Sequence, residues 1–482
     1  MSTVREKLEP ASLWEYFKRI LEIPRCSGNE KAIGDFIVSI AKKYNLSWDR
    51  DKVGNIVVRK GGTPGYEGSD AVILQGHIDM VGEKNSDVGH DFSKDTIKTE
   101  IKEGWMQAKG TTLGADNGIG VAAALAVMEE TTLDHGPLEF LFTVDEETGL
   151  TGARKIGPGF LKGNKILNLD SEGEGIFTIG CAGGADSEII LPLKRTKSKG
   201  GKAYRLKISG FRGGHSGIDI NQGRGNAIKI LARLLWQLSQ KYSFQLLSVE
   251  GGNKRNAIPR EAWAELILTP SVQDSLSSFL KEAFGKVQAE YKAVEKAHFT
   301  LEKSEGGKDS LAPEAQKKLI NLLFTLPHGV LSMHPEMKEL VETSNNVAII
   351  RTHEDKAEVI CSSRSSVASA LEATRNMIRA VCELTGAEVN QPEGYPGWMP
   401  NLQSSLLKTL KEVYKKTFQK EAKVEAVHAG LECGIIGEKF PDMDMISFGP
   451  TIEHPHSPEE RVNIESVAKF WKFLTATLKE LR

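Results

Sequence analysis

The sequence predicts an α/β chain in which a mostly parallel sheet, assembled from both ends, is interrupted by an inserted α+β domain. Three observations predict it. Short apolar runs alternate with helical periodicities through about the first 180 residues, as in βαβ units. The middle of the chain changes style, with a polar stretch at 194–202 followed by alternating strands and amphipathic helices. The connector Asn390-Gln-Pro-Glu-Gly-Tyr-Pro-Gly then returns the chain to its earlier pattern. Residues 1–183 and 393–482 are accordingly assigned to one discontinuous domain and 184–392 to the insert. A length of 482 residues suits this division, since one domain ordinarily takes roughly 100–200.

Element by element, residues 11–22 and 30–44 read as helices, the second with Ile33, Phe36, Ile37, Ile40, Ala41 and Tyr44 at helical spacing. They bracket a loop at 23–29. Val53–Arg59 reads as a strand entered through Gly54-Asn55, and Ala71–Leu74 as a short apolar run that stops at Gln75-Gly76. Ile119–Met128 is a helix of small residues suited to close packing on a sheet, and 138–144 and 165–169 are strands. In the insert, Tyr204–Ser209 is a strand and Asn226–Lys241 a helix with apolar residues at 227, 231, 234, 235 and 238. A helix near 402–418, a strand at 443–448 and a helix over 464–481 close the chain.

Composition excludes several function classes. Hydrophobic residues make up 40% and charged residues 26%, a globular balance rather than a disordered one. With 62 Lys+Arg against 64 Asp+Glu the net charge is -2, so no global basic field attracts nucleic acid or an anionic membrane. The N-terminal residues lack the apolar core of a secretory signal, and no run approaches the ~20 apolar residues that span a bilayer. Five cysteines, at 26, 181, 361, 382 and 433, contain no CxxC pair. That argues against a disulfide framework or a cysteine-built zinc site and suits a reducing cytoplasm.

Acidic and histidine residues fall where strand-like runs and turns end. The run 72–74 leads into Gln75-Gly76-His77-Ile78-Asp79, and a glycine turn leads into Asp116-Asn117. The runs 138–144, 166–169 and 443–448 lead into Asp145-Glu146-Glu147, Asp170-Ser171-Glu172 and the segment Glu453-His454-Pro455-His456. In an open parallel sheet the carboxyl ends of the strands open on one crevice, where ligands bind. Imidazole and carboxylate delivered there are the donors that zinc takes. Each string alone also fits a surface turn, a solvated acidic pair or a helix cap. Gathered together, the like charges call for a compensating cation. Gly118-Ile-Gly120-Val-Ala-Ala123 has the glycine spacing of a dinucleotide loop, but no strand precedes it and Glu129-Glu130 lies inside a helix. Nucleotide binding is therefore rejected.

The strings LQGHIDMV, GTTLGADNGIG, DEETGLTGA, NLDSE, GGHSG, RNAIPRE and GPTIEHPHSP resemble the co-catalytic dizinc exopeptidases, the family that includes carnosinase, aminoacylase and bacterial glutamate carboxypeptidase. The resemblance covers nearly the whole chain, and YPGW at 395–398 and HAGLECG at 428–434 are similar to the aminoacyl-histidine dipeptidase subgroup. It implies a catalytic α/β domain with an inserted lid domain, usually dimeric through the lid. It also implies two Zn2+ per subunit, with Co2+ or Mn2+ as substitutes. Asp116 would bridge the ions, His77 and Asp170 completing one site and Glu147 and His456 the other. Glu146 would be the general base and Asp79 would orient His77. In the lid, His215 of GGHSG would stabilise the oxyanion, while Arg364 and Asn256 would contact the substrate carboxylate. Asn117 departs from the many relatives that carry an acid there, often after a cis peptide.

The chemistry of these residue types agrees with that implication. Paired metals polarise a carbonyl and acidify a shared water, and a neighbouring carboxylate such as Glu146 can take its proton. The expectation is zinc-dependent hydrolysis of dipeptides with a free carboxyl terminus by a cytoplasmic homodimer. A preference for Xaa-His, such as β-Ala-His, rests on the resemblance alone. An N-acyl amino acid deacylase uses the same metal chemistry and stays open. So does a non-catalytic peptide- or metal-binding protein, although a binder has no need of Glu146. No role follows for His428 or Glu432. His90, His135, His298, His328, His334 and His353 read as structural or surface residues, and Cys26 as a buried one.

Overall fold

Consecutive aliphatic residues between turn signals need cover on both faces, and here they become the centre of a sheet. In the computed structural model, which describes residues 8–307 and 309–482, Leu138–Thr143, Val72–His77, Lys165–Asn168 and Asp444–Ser447 run parallel side by side within an eight-stranded sheet. Every residue of the first two is buried. Ser47–Arg50 and Ile56–Lys60 extend one side, Ile176–Cys181 and Lys423–Val427 the other. The sheet is parallel at its centre and mixed overall: the short link 51–55 between Ser47–Arg50 and Ile56–Lys60 permits only an antiparallel pair. Ile56–Lys60 starts later than the apolar run suggests because Asp51 Oδ1 accepts the N–H groups of Val53, Gly54 and Asn55, holding them in a turn.

Register gathers the site. Gln75 lies opposite both Leu141 and Asn168, and His77 opposite Thr143. The residues that follow these three strands therefore emerge together at one edge. Helix Ala115–Glu129 packs on Val72–His77 and on helix Ala11–Leu21, and is buried almost throughout. Its small residues matter: a Cβ on Gly120 would stand 2.6 Å from the Leu169 carbonyl oxygen. Asp116 and Asn117 have non-helical backbone angles, and the peptide between them is cis. A four-stranded antiparallel sheet of Thr99–Lys102, Trp105–Ala108, Ile452–Glu453 and Arg461–Asn463 holds both ends of the loop 454–460. These strands are too short to leave a periodic signal in the sequence.

The chain divides into two units. The first comprises the residues before Cys181, Pro400–Ala426 and Glu432–Arg482; the second comprises Cys181–Met399 and Val427–Leu431. The second unit reaches past residue 392 because Tyr395 pairs with Gly184 and Trp398 with Cys181 through backbone hydrogen bonds. It is built on a nine-stranded sheet that includes the long hairpin Val341–Thr352 and Lys356–Ser365. Helix Ala227–Ser239 buries Ile228, Leu231, Leu235 and Leu238 in its core, and Asn226 caps it by accepting the Lys229 N–H at 3.1 Å. The polar stretch at 194–202 is not a bare connector: Arg195–Lys197 pairs with Asp309–Leu311. Among the described residues no helix is long and apolar enough to cross a membrane.

Candidate metal centre

Each candidate ligand of the first unit stands where an element begins or ends. His77 is the last residue of its strand, Asp170 follows Lys165–Asn168, and Asp116 lies at the head of helix Ala115–Glu129. Glu146 and Glu147 follow Asp145, whose φ of 52° is left-handed. His454 and His456, in the loop between Ile452–Glu453 and Arg461–Asn463, have φ of 55° and 59°. Non-glycine residues adopt such angles at a cost, and they concentrate where geometry serves function.

Asp116 organises the set. Its Oδ1 lies 3.0 Å from His77 Nε2, and its Oδ2 lies 3.1 Å from His456 Nε2. His77 Nε2 is also 3.3 Å from Asp170 Oδ1, and His456 Nε2 is 2.9 Å from Glu147 Oε2. One carboxylate thus faces two donor groups, each compact enough to surround one ion. Donors about 2.0–2.1 Å from a tetrahedral zinc stand about 3.3 Å from one another, close to these separations. Glu147 Oε1 and Asp170 Oδ1 are buried without a hydrogen-bond partner, which a cation would remedy. By donor type, spacing and unmet need, the residues fit a pair of divalent metals.

The titratable groups show the same demand for positive charge. Burial opposes protonation of His77, yet Asp170 and the contact with Asp116 hold its pKa well above the ordinary value. Hydrogen bonds to Asp116 and Glu147 push His456 to about 11, against burial. Burial raises Asp170 to about 6 despite His77. It raises Glu172 to about 8, with Asp116 and Asp170 adding to the effect. Glu146 is driven well above the carboxylate range by burial first, then by Asp170, Glu432 and Glu147 against the opposing charge of His77. Divalent cations would relieve all of these groups together.

Asp79 is buried and has two tasks. Its Oδ1 lies 3.3 Å from His77 Nδ1. Its oxygens also accept the backbone N–H groups of Glu146 at 3.1 Å and Glu147 at 3.2 Å, with the Ser27 hydroxyl donating at 2.7 Å. Burial would raise its pKa, but the bonds from His77, Ser27 and Glu146 hold it at about 2. Asp79 stays ionised and ties His77 to the turn that carries Glu146 and Glu147. Glu432, also buried, accepts from Gln75 Nε2 and Thr143 Oγ1 at 2.7 Å each. Asn117 donates to the Leu169 carbonyl at 2.7 Å and so packs the helix against the strand end. Cys26 is half-buried. Among the described residues, none of His90, His135, His298, His328, His334 and His353 joins a grouping able to hold metal. Arg25, Ser27 and Glu460 escape sequence reasoning: Pro24-Arg25-Cys26-Ser27-Gly28 signals a turn and nothing more.

The second unit carries its own polar cluster. His215 follows Gly213 and Gly214, whose φ of 67° and 136° favour glycine. His215 Nδ1 accepts the N–H groups of Gly217 at 3.2 Å and Ile218 at 3.1 Å, so the ring proton resides on Nε2. Burial first, then Arg364, lowers its pKa. Arg364 is 7% exposed and donates from Nη1 to the Tyr395 hydroxyl at 2.9 Å, while its Nε is buried without a hydrogen-bond partner. His428 lies 2.7 Å from Ser344 Oγ, and burial followed by Arg364 lowers it to about 3. Both imidazoles are thus neutral, and the positive charge of the cluster is that of Arg364. Asn256 is exposed, and its backbone carbonyl accepts the Ser216 N–H at 2.8 Å.

The sequence matches peptidase family M20/M25/M40 over residues 73–480. It is 40% identical over 477 residues to the cytosol non-specific dipeptidase of Escherichia coli (strain K12), covering 98% of each chain. Its structure is similar to that of aminoacylhistidine dipeptidase from Vibrio alginolyticus, with a TM-score of 0.93 and 41% identity over 98% of this chain and 97% of that one. Aminopeptidase PepT from Bacillus cereus shares the fold at 16% identity, with a TM-score of 0.59 over 98% of this chain and 99% of that one.

Proposed function

We infer that this chain, which belongs to peptidase family M20/M25/M40, is a metal-dependent dipeptidase that hydrolyses dipeptides with a free C-terminal carboxylate. The observation that carries the reading is Asp116, whose two oxygens face separate pairs of donors. His77, Asp116 and Asp170 would hold one Zn2+, and Asp116, Glu147 and His456 the other, with Co2+ or Mn2+ as substitutes. When bound, the ions supply Lewis acidity at the scissile carbonyl and acidify a water. Glu146, adjacent in sequence to Glu147 and not among the residues that would hold the ions, is the base that would take a proton from the attacking water and deliver it to the leaving amine. Asp79 Oδ1, 3.3 Å from His77 Nδ1, sets the orientation of the ring so that Nε2 faces the metal.

In the second unit, His215 has its Nδ1 occupied and offers Nε2–H as a neutral donor to the oxyanion of the tetrahedral intermediate. Arg364, with Asn256, receives the substrate carboxylate, a group that a guanidinium binds well. Such recognition favours peptides that end one residue beyond the scissile bond. The active form is a cytosolic homodimer through the inserted domain, and C-terminal histidine is a preferred side chain. The test is a panel of β-Ala-His, Gly-Gly, Leu-Gly, a tripeptide and N-acetyl amino acids, assayed with Zn2+ for wild type and Glu146→Ala. Dipeptide cleavage that collapses in the variant is the expected result. Cleavage confined to the N-acetyl compounds would make the protein a deacylase.

A further inference from the structure

Two ionisable side chains lie behind the centre without belonging to it. Arg25 and Glu460 are each 2% exposed. Glu460 accepts four backbone N–H groups from the segment that leads into Asp116. Its Oε2 takes those of Leu113 at 2.8 Å and Gly114 at 2.9 Å, and its Oε1 those of Ala115 at 2.7 Å and Asp116 at 3.3 Å. Arg25 serves carbonyls: Nη1 donates to Ile78 at 3.0 Å and Asp79 at 2.5 Å, and Nη2 to Gly114 at 2.5 Å. The segment before Asp116 is thus gripped through its N–H groups by a residue from the His456 loop. It is gripped through a carbonyl by a residue that also holds the backbone just after His77. Glycines leave room for the guanidinium: a Cβ on Gly114 would stand 2.7 Å from Arg25 Nη2, and one on Gly118 2.8 Å.

Buried ions are costly unless their hydrogen bonds are satisfied, and here they are satisfied by main-chain groups that neutral side chains would serve less well. A carboxylate has lone pairs for four N–H donors, and a guanidinium offers a rigid fork of donors. We propose that Arg25 and Glu460 are positioning residues that lock the segments bearing His77, Asp116 and His456 into one arrangement, so that metal retention depends on them although neither is a ligand. This rests on the metal-centre reading above.

The test titrates the metal-free full-length protein with Zn2+ against a chelating indicator, for wild type, Glu460→Gln and Arg25→Lys. Glu460→Gln places an amide where N–H donors require an acceptor, and Arg25→Lys keeps the charge while losing the fork. A wild type that binds no Zn2+ would overturn the metal-centre reading itself. Given two sites in the wild type, each variant should lose about 10- to 100-fold in affinity, as changes behind metal ligands do. Each should also alter the visible absorption of the Co2+-loaded protein. Unchanged affinity and spectrum in folded variants would overturn the proposal. Gly118→Ala guards against loss of fold, since it keeps both charges and presses a methyl group toward the guanidinium. Weakened Zn2+ binding in it supports the clamp. Unchanged binding with a lowered melting temperature of the metal-free form would reduce the pair to a stabilising role and overturn the proposal.

Discussion

Glu146 and Glu147 are adjacent in sequence and differ in what their carboxylates meet. Glu147 lies 2.9 Å from His456 Nε2, whereas Glu146 is held above the carboxylate range by burial first and by neighbouring carboxylates second. Glu146→Ala should therefore lower kcat by about 100- to 10,000-fold while metal content stays that of the wild type. Metal analysis alongside kinetics separates this from loss of a ligand. His215→Ala should lower kcat by about 100- to 1,000-fold with a smaller change in KM, because an oxyanion exists only on the reaction path. A pure KM effect would place His215 in ground-state binding. Glu432 makes a pH prediction. Burial raises it from 4.5 to about 7 in the folded chain, against the Thr143 hydrogen bond. Its contribution to stability is full below the unfolded value and is lost as pH rises through the folded one. Glu432→Gln mimics the protonated form, so as pH rises from about 4.5 to 8 it should gain about 3 kcal/mol on the wild type in urea unfolding of the metal-free protein. Parallel pH curves for the two proteins would contradict this. The proposed ligands are legible in sequence because each follows a strand-like run or a glycine turn, His456 at the longest distance. Arg25 and Glu460 are not, because their partners are main-chain atoms brought from distant positions.

At the scale of elements, parallel register does the gathering, since His77 and the residues after Thr143 and Asn168 leave the sheet side by side. Helix Ala115–Glu129 can approach this edge only with small residues. Gly120→Ala would set a methyl carbon 2.6 Å from the Leu169 carbonyl. Overpacking of this kind costs about 1–3 kcal/mol, so a lower melting temperature should be measured. Wild-type stability in that variant would show that helix and strand end can separate freely. The apolar runs and the helical periodicity of this core are long enough to read from sequence. Ile452–Glu453 and Arg461–Asn463 are not, because two or three residues carry no period; pairing with Trp105–Ala108 makes them strands. The YPGW segment reads as a linker by its Pro and Gly, while its backbone hydrogen bonds join it to the second unit.

For the whole molecule, the metal reading joins stability to activity, because ions that bind only the folded chain stabilise it by mass action. Chelation should lower the melting temperature and abolish hydrolysis together, and added Zn2+ should restore both. A sedimentation or light-scattering mass of twice 52.8 kDa is expected for the homodimer, whereas a monomer with full activity would contradict it. The most direct measurement is dipeptide hydrolysis during titration of verified metal-free protein with Zn2+, with Glu146→Ala titrated beside it. Wild-type activity should rise from zero and level at two equivalents, and the variant should take up the same two equivalents with little hydrolysis. Full activity in the metal-free wild type, or wild-type rates in the loaded variant, would contradict this.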